Sequence, residues 1–404
     1  MNGPAQLIRS DRLGQGYRNL GPIYEWSEGK AYLTVDHVSF HGTPGAVLCY
    51  VNPPVHQVGN PGLDAYLDGL GKVYEQRDAL KFLILSGAND PVHAGGDLKE
   101  SLSRLEATLA AKKEKESAGA PAEEIDRLFD WADNRLKKGI ALHALVRKIA
   151  RDLRVVAVCG GGTRFGGSAE IPLMADVLVG DSRSAMCFSE AMIGLIPGWG
   201  GIGRTLIKAG PVNAAYMAMT AKEVPADRLK GIGIYNEVIP VPFPFPKREK
   251  TGDPDADKAR YLSALKSHHN ETGMLLLPKA LHLAICPKAE IPGLNETERL
   301  TLAAREDISK EVAARKEPEN YAHLWGKSLR EARDEIQALG RPLAPQSIEA
   351  LDKLLENYNP AAFDEHRFVE EEMKADARLY RDPRFRSGLI ATLEQTVADY
   401  REAR

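Results

Sequence analysis

Between Ala46 and Asp181 the chain alternates two hydrophobic rhythms. Short, nearly continuous apolar runs, AVLCYV (46–51), FLILS (82–86), VVAVC (155–159) and VLVG (177–180), read as buried strands. Longer segments with helical spacing lie between them. In LDAYLDGLGKVYEQRDAL the apolar residues Leu63, Leu67, Leu70 and Val73 share one helical face, which predicts a crossover helix between parallel strands. A charged stretch, SLSRLEATLAAKKEKESAGAPAEEIDRLFDWADNRLKKG (101–139), separates the second and third runs. It places Leu102, Leu105 and Leu109 on one face, breaks at Ala-Gly-Ala-Pro (118–121), and resumes through Leu128, Ala132 and Leu136. This predicts an inserted helical pair within 101–150, mainly solvated, with a lid over a site as the functional alternative. After Pro240 the proline- and charge-rich PVPFPFPKREKTGDPDADK reads as a connector, and from about residue 255 the pattern is helical. The predicted organisation is an α/β protein with an N-terminal extension (1–45), a core (46–240), and a connector with a helical C-terminal region (241–404).

Charge and cysteine usage narrow the picture. Across 404 residues, 53 Lys and Arg nearly balance 56 Asp and Glu, so no basic field invites nucleic acid. Cys49, Cys159, Cys187 and Cys286 are scattered without a CxxC, as expected for reduced core residues. No apolar stretch reaches membrane-spanning length, and MNGPAQLIRSD has no signal-like core. A cytoplasmic protein that engages neither membrane nor nucleic acid is expected. His268 and His269 have no further ligand at usable spacing and are assigned to a solvated helix start, so no metal is expected.

Three glycine-bearing stretches are the candidate chemistry: SGANDPVHAGGDLKE (86–100), GGGTRFGGSAEIPLMAD (160–176) and FSEAMIGLIPGWGGIGRTL (188–206). Glycine before a helix exposes N–H groups to close approach. Taken singly, each cluster is equally a tight turn, and Glu190 equally a carboxylate bonded to helix-start amides. The contiguous Gly160–Gly162 does not form a dinucleotide fingerprint.

Together and in order, the three stretches resemble the crotonase (enoyl-CoA hydratase/isomerase) superfamily over about residues 44–240. VHAGGDLKE is similar to that family's FSAGADLKE, GTRFGGSAEIPLMAD to GYALGGGCELAMACD, and CFSEAMIGLIPGWGGIGRTL to FGQPEIxLGxIPGxGGTQRL. The resemblance implies a ββα spiral core with a helical C-terminal region, assembled as trimers or hexamers. The apolar LLLPKALHLAIC (275–286) adds to that expectation, since one small domain would struggle to cover it. The resemblance also implies an acyl-CoA substrate, with CoA as part of it and no separate cofactor. It assigns an oxyanion hole to the N–H groups of Gly96 and Gly167, and an acid/base pair to Glu170 and Glu190. Substrate contacts fall on Ala94, Gly95, Asp97, Leu98, Lys99, Gly166 and Trp199. With both acids kept, hydration of an α,β-unsaturated thioester is the first expectation; a thioester or ring-opening C–C hydrolase on a cyclic or branched acyl-CoA is the alternative. The sequence departs from the pattern at His93, Gly161, Arg164, Ser168 and Ala169. Arg164 reads either as a salt-bridged surface residue or as a cation facing a polar acyl group.

Overall fold

The computed structural model describes residues 4–294 and 298–401. Helix α1 (Pro4–Ile8) precedes strands β1 (Tyr17–Glu28), β2 (Ala31–Phe40) and β3 (Thr43–Val51). After α2 (Asn60–Glu75) the chain makes three ββα turns. The first is β4 (Phe82–Gly87), β5 (Val92–His93) and α3 (Leu98–Ser117), followed by α4 (Ala122–Asp126) and α5 (Asp130–Asp152). The second is β6 (Arg154–Cys159), β7 (Thr163–Phe165) and α6 (Gly167–Leu173); the third is β8 (Val177–Asp181), β9 (Ala185–Cys187) and α7 (Gly201–Ala209). Then come α8 (Pro211–Thr220), β10 (Val224–Pro225), α9 (Ala226–Gly231) and β11 (Glu237–Ile239). The first long strand of each turn joins a sheet of order β1-β2-β3-β4-β6-β8-β11, parallel from β3 onward, and the short strands build a second sheet, β10-β9-β7-β5.

The continuous apolar runs follow from burial on both faces. Leu48, Leu83, Val155 and Leu178 pack toward Leu63, Leu70, Leu142 and Val146 of α2 and α5. Val47, Ile84, Val156 and Val179 face the other way, onto Leu276, Leu277, Ala280 and Leu281 of α10 (Pro254–Ile285). The C-terminal region continues as α11 (Arg305–Lys316), α12 (Arg333–Leu339), α13 (Pro345–Glu356), α14 (Glu365–Leu379) and α15 (Pro383–Glu394). All four cysteines are buried and free. Among the described residues no helix is long and apolar enough to cross a membrane.

Four expectations need correction. Residues 1–45 are not an appendage, because β1 and β2 are sheet strands and the boundary at 45/46 falls inside β3. The 101–150 segment is only half an insertion. Its second helix, α5, is the crossover into β6 and buries Leu136, Leu142, Val146 and Ile149; most of the charged residues that mask this, Arg135 excepted, lie off that face. LLLPKALHLAIC needs no second subunit, since α10 lays it on the chain's own sheet. Finally, His268 and His269 lie well inside α10. His268 is packed against Phe243 and Phe245 and bonded to Arg183 Nη1, while His269 Nε2 meets Asp90 Oδ1 at 2.9 Å.

Candidate active site

The three glycine stretches converge where the short strands end. Asp97 caps α3, its Oδ1 accepting from the N–H groups of Lys99 and Glu100 at 3.0 Å, while its Oδ2 accepts from Gln57 Nε2. That holds the Ala94–Gly96 loop, in which Ala94 N–H donates to Val55 and its carbonyl accepts from Ser168 Oγ. Gly95 lies flat on the second loop. A methyl group there would stand 2.7 Å from Phe165 O and 2.9 Å from Gly167 N. Among the described residues, neither the Gly96 nor the Gly167 N–H reaches a protein acceptor, so both amides are free. Lys99 is exposed and does not line the cavity of the paired acids.

Glycine at 166 and 167 is a packing requirement. Gly166 has φ 48° and ψ −127°, and a Cβ would stand 2.5 Å from Glu190 Oε1. At Gly167 a Cβ would collide with the Trp199 indole, which is itself buried across the loop. The acids thus press against bare backbone.

Glu170 lies in the first turn of α6, 3% exposed, and its Oε1 accepts from Trp199 N (2.8 Å) and Gly201 N (3.0 Å) of the third stretch. Burial pushes its carboxyl up to about 7 against the pull of those amides. Glu190 is held still further above the usual range by burial, then by the neighbouring charges of Glu170 and Asp376. Its Oε2 is buried without a partner among the described residues. One cavity of about 60 Å³ is lined by Gly96, Leu98, Gly167, Glu170, Glu190 and Trp199.

The same cavity shows residues that the sequence reading missed. Arg135 of α5, and Asp376, Tyr380 and Phe385 from the C-terminal helices, complete its wall. Asp376 Oδ1 accepts from Ile196 N at 2.9 Å, and burial raises its carboxyl above the usual range. Glu372, one turn earlier, accepts from Gly203 N and is raised by burial as well. Arg381 fixes this helix by pairing with Asp133 and Asp126. A signal was available. Val369, Glu372, Asp376 and Leu379 share one face of α14, where two acids on an apolar stripe are out of place.

Arg164 is not the salt-bridged surface residue that was one of its two expected readings. It pairs with His93 in the register of β5 and β7, is 8% exposed, and among the described residues has no carboxylate within 4 Å. With His56, His93 and Ser168 it lines a separate cavity of about 50 Å³ that shares no residue with the first. Elsewhere, His282, Cys286 and Glu290 bring ligand-type atoms within 4.8 Å of one another at the end of α10, remote in sequence from the paired acids.

Residues 117–243 match the enoyl-CoA hydratase/isomerase family, a span that holds Gly167, Glu170, Glu190 and Trp199 but begins after Gly96. Mitochondrial enoyl-CoA hydratase of Pongo abelii is 25% identical over 194 residues, 46% of this chain and 57% of its own. A mevalonyl-coenzyme A hydratase of Beauveria bassiana is 24% identical over 180 residues, 44% of this chain and 57% of its own. The chain therefore spans little more than half the length of these curated relatives. A solved enoyl-CoA hydratase from Rhodobacter sphaeroides shares the fold, with a TM-score of 0.51 over 86% of each chain at 14% identity. Residues 117–243 thus carry the likeness to the enoyl-CoA hydratase/isomerase family, and the fold is that of a solved enoyl-CoA hydratase.

Proposed function

We propose that this protein is an acyl-CoA hydratase or dehydratase that adds water across the α,β double bond of a short unsaturated acyl-CoA. The observation that carries the reading is the shared cavity, in which two buried carboxylates of unequal environment face two free backbone amides. The thioester oxygen takes hydrogen bonds from Gly96 and Gly167 N–H, which stabilise the enolate as charge moves onto it; one such donor is worth about 2.7–4 kcal/mol elsewhere. Gly167 opens α6, so the helix N-terminus adds its partial positive charge. Glu170, whose anion is favoured by two amides, takes a proton from water as its oxygen bonds to Cβ. Glu190, the stronger proton holder, delivers its proton to Cα. The proton gained by Glu170 returns to Glu190, and the sum is one water added to an intact thioester. The reading needs no cofactor beyond the CoA that the substrate carries.

A second reading rests on Asp376. Three carboxylates around one cavity exceed what hydration requires, and a hydrolase of a ring or branched acyl group would use the third to activate the one water it consumes. An absorbance screen with a thiol reagent, followed by product analysis, separates the readings. Hydration removes the conjugated enoyl-thioester absorbance and leaves thiol reagent unreacted, thioester hydrolysis releases one thiol per turnover, and C–C hydrolysis leaves an intact thioester carrying an opened ring.

The pH profile follows from the unequal acids. Activity should rise with pH through about 7, as the pair loses its first proton mainly from Glu170, and fall again at higher pH as Glu190 loses the second. Asp376→Asn removes a negative neighbour that raises Glu190, so the alkaline limb should move to lower pH while the acid limb shifts less. An unchanged alkaline limb would remove Asp376 from the electrostatics of the pair.

A further inference from the structure

Beyond the paired acids, the cavity wall mixes apolar side chains, Leu98, Ile193, Ile196 and Phe385, with three polar ones, Arg135, Asp376 and Tyr380. The polar ones are incompletely paired. Arg135 is 3% exposed and donates to Ser101 Oγ at 3.0 Å and to Val58 O at 3.4 Å, yet among the described residues no carboxylate lies within 4 Å of it. Asp376 is also 3% exposed and uses one oxygen on Ile196 N, leaving the other without a protein donor among the described residues. The Tyr380 hydroxyl has no protein partner among the described residues either, although the ring is buried. The Arg135 charge acts on Asp376, but among the described residues the two do not close into an ion pair. Groups left unpaired against an apolar ligand carry a desolvation cost. A plain alkyl chain would leave them so.

We propose that the acyl group of the substrate carries a hydroxyl or carbonyl oxygen beyond its α and β carbons, and that Arg135 and Asp376 recognise that oxygen. The inference rests on the acyl-CoA reading and names the class of acyl group within it. A hydroxyl answers both residues at once, accepting from Arg135 and donating to Asp376. A terminal carboxylate fits worse, since Glu170, Glu190 and Asp376 already crowd one cavity with acids. Size agrees with a compact group, since the cavity measures about 60 Å³. Sites built to hydrogen-bond a substrate hydroxyl reject the analogue lacking it by up to about 10⁴–10⁵.

Calorimetric titration with three unreactive CoA thioethers tests this. Each is a ketone analogue of a short acyl-CoA, ending in a methyl, a hydroxyl or a carboxylate. The wild-type protein should bind the hydroxyl probe at least about a hundredfold more tightly than the methyl probe, and the carboxylate probe no better than the methyl one. Asp376→Leu should reduce the hydroxyl preference to below about tenfold, while Asp376→Asn, which keeps an acceptor, should retain most of it. Equal binding of methyl and hydroxyl probes, or tightest binding of the carboxylate, overturns the inference and leaves the acyl-CoA reading standing. Binding of none of the three removes that reading and the inference with it. The wild-type ratios decide the matter even if the leucine variant does not fold.

Discussion

Glu170→Gln and Glu190→Gln should each lower turnover at least about a hundredfold, with ligand affinity nearly unchanged, because each removes one proton transfer from a shared transition state. The two side chains reach the same cavity from different stretches of sequence, one anchored on the amides of Trp199 and Gly201, the other with a buried oxygen left free. Groups that act on one water are not additive. The double variant should lose far less than the product of the single losses. If Glu170 were only a structural acceptor for those two amides, its glutamine variant would keep the carbonyl bonds and retain turnover in the folded fraction. Chemical steps measured in single turnovers on the folded protein separate the two cases.

Gly166→Ala should be nearly as damaging, although it touches no proton. Its backbone, φ 48° and ψ −127°, is one that L residues avoid, at a cost of about 1–3 kcal/mol. The added methyl would also stand 2.5 Å from Glu190 Oε1 and push the acid out of place. A matched control divides the two effects. Gly14 also has positive φ (103°), yet a Cβ there meets nothing within 4 Å. Gly14→Ala should lose stability comparably and keep full turnover, whereas Gly166→Ala should lose stability and at least about a hundredfold in turnover. Equal turnover in both variants would mean that Glu190 tolerates displacement.

These predictions draw on parts of the molecule that were unequally legible. The strands of the parallel sheet announce themselves because burial on both faces leaves runs such as VVAVC without polar interruption. The glycine stretches were visible as well, since close packing of Gly95 on Gly167 and of Gly166 on Glu190 leaves no other residue type room. The C-terminal contribution was not. Asp376 reaches Ile196 across 180 residues of chain, and no local pattern encodes such a contact. Arg135 was hidden differently, on a helix whose buried face also carries His143, so that the apolar periodicity of α5 is diluted. The α10 segment shows a third limit: its apolar run revealed that cover was needed, but not that the chain's own sheet supplies it.

The central claim is that the paired acids add water to carbon while the thioester survives, and isotope-labelled water tests it most directly. With ¹⁸O-water and the best substrate from the absorbance screen, mass spectrometry of the CoA-bound product should show one labelled oxygen fixed to the acyl chain in an intact acyl-CoA, with no free thiol. Release of CoA thiol in step with turnover, and label in a free acid instead, would contradict the account.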